Sequence, residues 1–289
     1  MISFIIPFAS KGDNLHEWSD TDSSMIIFST ILAIKNINKT FDLDKEIILV
    51  DNTNSFPDIK IPNLKIVKGL QYLTEDELTD EIKIKYKIDD ITNHSMWASN
   101  AYNIGIEHAI GEYIILQHND IFYSENFLPN LLQLLKTNEY VSVDSKHLNL
   151  TGYLGNKDVI DSLGIDFEIG HENGGYIKQK EFGLADCYFF LSKKEFFNDY
   201  SVDWRYGDTN HGATIKCLLE GKSFLHIGPF FGNNNYKTDS SNIYKFCGHK
   251  FITHLKGGFS ENKLSFKIED DNRNWKTSNS YMKNLIKKS

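Results

Sequence analysis

The sequence predicts an α/β fold in which a mainly parallel central sheet is flanked by helices. Three observations predict it. Short apolar runs recur through the first half of the chain, at Ile2–Phe8, Glu46–Val50 (EIILV) and Tyr113–Leu116 (YIIL). A run of that kind fits a strand covered on both faces. The segments between them carry apolar residues at helical spacing. Finally, the runs end in polar clusters, Asp51-Asn52-Thr53-Asn54-Ser55 and Gln117-His118-Asn119-Asp120. In an open α/β sheet, ligands bind just outside the carboxyl ends of the strands, so both clusters are candidate sites.

Taken in order, Ile2–Phe8 is a first strand closed by Pro7, and residues 9–23 form a polar loop. Ser23 or Ser24 caps a helix through Met25, Ile27, Phe28, Ile31, Leu32 and Ile34. With EIILV this makes a strand–helix–strand unit, for which a βαβ crossover is the simplest topology. Leu64–Val67 is a third strand. Tyr72–Asp90 carries both signs of charge and reads as a solvated helix, a lid or an insertion. Ala98, Ala101, Ile104, Gly105, Ala109 and Ile110 define the next helix, with Gly111 as its C-cap before YIIL. Phe127–Leu135 is amphipathic. Residues 149–179 are dotted with glycine and aromatic residues and read as hairpins and loops. Leu184–Leu191 is a strand, and a helix begins at Lys193. Another helix over Ala213–Glu220 is closed by Gly221, and Ser223–Ile227 is a short strand.

Composition narrows the function classes. The net charge of -8 argues against nucleic acid as a partner, since that binding needs a basic footprint. Arg205 and Arg273 are the only arginines, so a phosphate site cannot lean on several bidentate guanidinium groups. Lysine, backbone N–H groups or a metal ion must serve. Cys187, Cys217 and Cys247 are odd in number and widely spaced, which fits free thiols in a reducing compartment. No apolar run approaches the ~18–20 residues of a membrane span. The first residues lack a basic leader, so the chain reads as cytoplasmic. The basic, aromatic tail from Trp275 to Ser289 reads either as an amphipathic surface segment resting on the inner face of an anionic membrane or as a frayed or partner-covering C-terminal helix.

Several segments, in order over roughly residues 2–230, resemble the GT-A nucleotide-sugar glycosyltransferases, in particular inverting family 2 and its bacterial polysaccharide members. FIIPF resembles the family's first strand, and ILVDNTNS its strand ending in Val-Asp-Asn-x-Ser. AYNIGIEHAIGEYIILQHND resembles the run from Arg-Asn-x-Gly to Asp-x-Asp. VIDSLGIDF, LADCYFFLSKKEFF and VDWRYGDTNHG occupy the places of later blocks. The resemblance implies a Rossmann-like GT-A sheet, with residues 1–125 as a donor-binding half and 126–245 as an acceptor and catalytic half. Residues 246–289 would be a basic extension. It further implies a nucleotide-sugar donor, UDP-linked by analogy, and a glycan or lipid-linked glycan acceptor. Pro7, Phe8, Asp51, Asn103, His118 and Asn119 would line the donor site, and Asp120 would hold Mn²⁺ or Mg²⁺. His118 and His226 would be further metal ligands, and Asp208 the general base. The chain departs from the pattern at three places. His118-Asn119-Asp120 has one carboxylate where the family has two. Tyr102 stands in place of Arg. Gly207-Asp208 replaces an acidic pair, with Asn210 following.

Each candidate has a plainer reading beside it. The His118–Asp120 triplet could simply cap a strand. Asp51 suits an Asx turn in VDNTNS as well as ribose hydroxyls, and both can hold at once. Asp208 could cap the helix that follows it. His226 could be a hydrogen-bonded core residue. His211, His249 and His254 are weaker ligand candidates, and Lys11 could approach a diphosphate. Two rival functions also stand: a sugar nucleotidyltransferase, for which PFASKGDN is a poor glycine-rich loop, and a silent nucleotide- or glycan-binding module that has lost its acidic pair.

Overall fold

The computed structural model describes residues 1–9, 23–70, 73–74, 76–88, 94–144, 168–170, 176–178, 185–203, 206, 210–227, 241–246, 249–255, 265–268 and 273–276. In chain order these form β1 (Ile2–Phe8), α1 (Ser23–Thr40), β2 (Lys45–Asp51), β3 (Leu64–Lys68), α2 (Asp80–Tyr86) and α3 (His94–His108). There follow β4 (Tyr113–Gln117), β5 (Ile121–Tyr123), α4 (Leu128–Leu134) and β6 (Tyr140–Asp144). Then come β7 (Glu168–Gly170), β8 (Tyr176–Lys178), β9 (Ala185–Lys193), a 3-10 turn over Lys194–Asn198 and α5 (His211–Glu220). The last strands are β10 (Leu225–Ile227), β11 (Ser241–Phe246), β12 (His249–Leu255), β13 (Ser265–Ile268) and β14 (Arg273–Lys276).

The main sheet has the strand order β10-β6-β9-β4-β1-β2-β3. β1 pairs in parallel with both β2 and β4, and β2 with β3. β9 is antiparallel to its neighbours β4 and β6, and β10 is parallel to β6. The expected mixed, mainly parallel sheet flanked by helices is therefore what the chain builds. A smaller antiparallel sheet, β11-β12-β5, continues from the end of β4. The 245/246 boundary expected from the sequence falls between the last two residues of β11, within the β11–β12 pair.

Period-two alternation along β1 and β2 explains the two-sided core. Phe4, Ile6, Phe8 and Leu49 share a core with Ile34 and Ile37 of α1 and with Phe41 just beyond its end. Ile5, Ile48 and Val50 belong to the opposite core, with Met96, Trp97, Ala101 and Ile104 of α3. α3 comes in very close: a Cβ on Gly105 would lie 2.2 Å from Ile5 Cγ2. Only glycine permits this approach of helix to strand.

Two local expectations shift. α3 ends at His108, and Gly111 is not its C-cap. Gly111 donates its N–H to Ser3 Oγ at 2.9 Å, and a Cβ there would meet Ser3 Oγ at 2.4 Å and Ser3 N at 2.7 Å. Close backbone approach, rather than a left-handed turn, is what requires glycine. Among the described residues of the charged 72–90 stretch, seven form a helix, capped by Thr79 and ended by Lys87 in the left-handed region at φ 54°. Gly221, at φ 63°, does close α5 as expected. Residues 165–167 lie outside the described residues, while β7 and β8 form one of the expected hairpins.

Candidate active site

The strand order creates the site. From β1 the chain moves outward to β2 and β3, then crosses back to lay β4 on the other side of β1. Such a reversal opens a crevice at the carboxyl edge of the sheet, between the two strands that diverge. The carboxyl ends of β1, β2 and β4 carry Pro7 and Phe8, Asp51, and His118–Asp120 respectively. β2 and β4 are separated only by β1, so their ends lie about 10 Å apart at ordinary strand spacing.

Phe8 is buried and in register with Asp51, with its ring edge-on to Phe56 at 5.0 Å. Pro7 is half-buried beside it. The Asp51 carboxylate is only 6 % exposed and organises the turn after β2. It accepts from Thr53 N–H at 2.9 Å and Phe56 N–H at 2.9 Å, one on each oxygen. The Asx-turn reading is thus observed. Oδ1 also accepts from Thr53 Oγ1 at 3.3 Å, so the spare lone pair lies on Oδ2.

The turn after β4 is held in a polar frame. Gln117 is fully buried; its Oε1 accepts from Tyr123 Oη at 2.5 Å, and its Nε2 donates to the His118 carbonyl at 3.2 Å. Burial pushes the Tyr123 phenol well above its usual range, so it stays a neutral donor. Asn36 of α1 bridges the main chain of Tyr123, donating to its carbonyl at 3.0 Å and accepting its N–H at 2.7 Å. Asn119 donates to Thr30 Oγ1 at 3.1 Å, and Thr30 in turn bonds the Ile26 carbonyl. Asn119 therefore anchors the turn to α1. His118 is half-buried, edge-on to Tyr188 at 5.0 Å, and Asp120 is 5 % exposed.

The buried atoms Asn52 Oδ1, Ser99 Oγ and Asn100 Nδ2 have no hydrogen-bond partner among the described residues. Asn52 follows β2 at its carboxyl end and donates to the Trp97 carbonyl at 3.5 Å; Ser99 and Asn100 lie in the first half of α3. A buried polar group left unmatched costs about 1–3 kcal/mol, so water or ligand is expected to satisfy these atoms. Asn52 belongs to the polar cluster expected at the end of β2, whereas Ser99, Asn100 and the Gln117–Tyr123 bond had no expected role. A glutamine closing an otherwise apolar strand was the available signal.

Other expected residues are placed elsewhere. Asn103 does not stand free toward the crevice: its Oδ1 accepts from Val202 N–H at 2.9 Å and its Nδ2 donates to the Val202 carbonyl at 2.8 Å. His226 lies on β10, paired with Ser142 of β6 and three strands from β4, which is about 14 Å at strand spacing. β12 instead places His254 opposite Ile121, next in sequence to Asp120. His211 is buried at the start of α5. Asp208, with Lys11, lies outside the described residues.

Mg²⁺ and Mn²⁺ take oxygen ligands, and Mg²⁺ usually binds through one or two carboxylates plus substrate phosphates. Among the described residues, no group of three or more His, Cys, Asp or Glu could hold an ion by itself. The donor set of Asp120, with His118 nearby in sequence, therefore fits an ion that a diphosphate helps to coordinate. No helix among the described residues is long and apolar enough to cross a membrane.

Residues 71–200 match the family model described as Glycosyl transferase family 2. The match takes in α2, α3, the His118–Asp120 turn and β9, and stops short of β1, β2 and Asp208. The family 2-like resemblance read from the sequence holds over this segment. No curated protein matches the chain. Among solved structures, it is similar to the mannosyltransferase PcManGT from Pyrobaculum calidifontis in complex with GDP-Man and Mn²⁺, at 13% identity and TM-score 0.43, covering 81% of this chain and 58% of that one. It is similar to the bifunctional IspDF from Campylobacter jejuni at 11% identity and TM-score 0.45, covering 82% and 51%. It is also similar to glucosyl-3-phosphoglycerate synthase from Mycobacterium tuberculosis in complex with Mn²⁺, UDP and glucosyl-3-phosphoglycerate, at 13% identity and TM-score 0.43, covering 81% and 72%. The chain spans between half and three fifths of the length of the first two.

Proposed function

We propose that the protein, whose residues 71–200 match the glycosyl transferase family 2 model, transfers a sugar from a nucleotide-diphosphate sugar to a hydroxyl of a glycan or lipid-linked glycan. One observation carries the reading. The turn bearing Asp120 lies inside the family-matched segment and at the carboxyl edge of the strand-order reversal, two strands from Asp51.

Asp51, with Pro7 and Phe8 beside it, takes the nucleoside end of the donor. The carboxylate accepts a charge-assisted hydrogen bond from ribose or base on its spare lone pair. UDP is the nucleotide proposed, by family analogy. Asp120 and His118 would hold a divalent ion, and Asn119 fixes that turn from the side of α1. Such an ion would supply positive charge to the leaving diphosphate. Asp208 accepts the acceptor hydroxyl's proton. The acceptor oxygen then forms its bond to the anomeric carbon as the nucleoside diphosphate leaves with the bonding pair, inverting the centre. Cell-surface polysaccharide synthesis on the cytoplasmic side of a membrane is the setting proposed, with the basic tail as a peripheral contact.

A panel of nucleotide sugars with Mn²⁺, scored for release of nucleoside diphosphate, tests the reading. Turnover of at least one donor is expected. Absence of turnover with every donor, together with UDP binding that ignores the metal, would instead identify a silent binding module.

A further inference from the structure

We infer that Asn103 and Lys87 are positioning residues that clamp residues 201–203, the stretch from which the chain runs on to Asp208. The inference rests on the glycosyl-transfer reading and assigns Asn103 a role other than donor contact.

Three consecutive residues are gripped by side chains far away in sequence. Asn103 acts like a piece of neighbouring strand. Its amide satisfies both the N–H and the carbonyl of buried Val202, so both of its polar atoms are already engaged. On either side of Val202, Lys87 Nζ donates to Ser201 Oγ at 3.1 Å and to Asp203 Oδ2 at 2.7 Å. The Asp203 side chain is 1 % exposed, whereas that of Lys87 is 33 % exposed. A carboxylate so buried needs a charged or hydrogen-bonding partner, and removing that partner is strongly unfavourable.

Lys87 is placed for this by an unusual backbone. It caps α2 in the left-handed region, a conformation that glycine or asparagine adopts more readily. α2 itself buries no residue; Lys85 and Tyr86 tie its last turn to Glu107 of α3, and Lys87 at its end reaches residues 201–203. The grip continues forward: Tyr206 donates its N–H to the Asp203 carbonyl at 3.3 Å. The Tyr206 ring lies so close to Gly212 that a Cβ there would come within 2.8 Å of Tyr206 Cδ2. α2, α3 and the start of α5 thus share one anchored segment. An error of about 1 Å in a catalytic group can cost about a hundredfold in rate, which makes such anchoring matter.

Asn103→Asp is the sharpest probe. It keeps the shape and the acceptor for Val202 N–H, removes the donor to the Val202 carbonyl and sets a charge against it. Lys87→Met removes the cation, and Lys87→Arg preserves it. Amide exchange, UDP affinity in the presence of Mn²⁺ and steady-state turnover are measured on all three and on the unaltered protein. Asn103→Asp and Lys87→Met are expected to speed exchange of the peptide covering 200–206 by roughly tenfold, with the 113–123 peptide unchanged. UDP affinity should stay within about twofold while kcat falls roughly ten- to a hundredfold at constant donor KM. Lys87→Arg should restore most of kcat. Weakened UDP binding in Asn103→Asp with unchanged exchange at 200–206 would overturn the inference and make Asn103 a donor contact. Faster exchange with intact kcat would reduce the clamp to a structural pair. An unaltered protein without turnover on any donor removes the transfer reading, and the exchange comparison still decides whether the clamp exists.

Discussion

The bond between Gln117 and Tyr123 closes the frame around the His118–Asp120 turn, and its removal has a calculable effect. Both side chains are buried, and the phenol donates to Gln117 Oε1 at 2.5 Å. Tyr123→Phe deletes one hydroxyl and leaves that acceptor dry and without the phenol. Gln117→Leu leaves the phenol without its acceptor and also removes the bond to the His118 carbonyl. Each single change should cost about 1–3 kcal/mol, the desolvation penalty of a stranded buried group. The double variant leaves neither group stranded, so it should fall short of the sum of the singles by about 1–2 kcal/mol. In a chain of this size a loss of about 2 kcal/mol lowers Tm by about 3–4 °C. Urea denaturation of the four proteins, followed by tryptophan fluorescence, measures the coupling. Singles that add to the double within about 0.5 kcal/mol would show that the two groups do not depend on each other, and the frame argument would fail.

Three other perturbations probe separate parts of the account. Gly111→Ala forces a methyl against the Ser3 backbone at 2.7 Å and should destabilise by about 1–3 kcal/mol or more, read as a shifted urea midpoint; an unchanged midpoint would contradict the close approach. The Cys217 thiol is pushed from 9.0 up to about 12, first by burial and then by Glu139 and Glu220. Because its folded value is raised, its contribution to stability is complete below pH 9 and is lost as pH rises toward 12. At pH 8 alkylation of Cys217 should need unfolding, and mass mapping that found it modified in the native protein would refute this. Asp208→Asn should lower turnover far more than UDP affinity; lost binding with intact turnover would reject its role as base.

The sheet was legible in the sequence because strands buried on both faces leave uninterrupted apolar runs. Ile2–Phe8, EIILV and YIIL each became a strand at the expected place. The carboxyl-edge site followed from the polar residues that close them. Contacts between distant segments were not legible. Nothing local in VDWRYGD tells that Val202 pairs with Asn103 or that Asp203 receives Lys87, since both bonds span about a hundred residues. Nor did the glycine of HAIGEY reveal its reason: a cap and a close approach ask for the same residue, and only the neighbouring Ser3 distinguishes them. The short strands β5 and β6 escaped notice because three to five residues carry too little periodicity. The hydrogen bond from Asn119 to Thr30 was not legible either, because it depends on where α1 packs.

The most direct test of the central claim is a calorimetric titration of UDP into the protein and into Asp120→Ala, each with and without Mn²⁺. Metal-dependent binding to the unaltered protein, lost in Asp120→Ala while its melting curve stays in place, is the predicted result. Equal binding by the two proteins in Mn²⁺ would contradict the account, because Asp120 would then have no part in holding the donor.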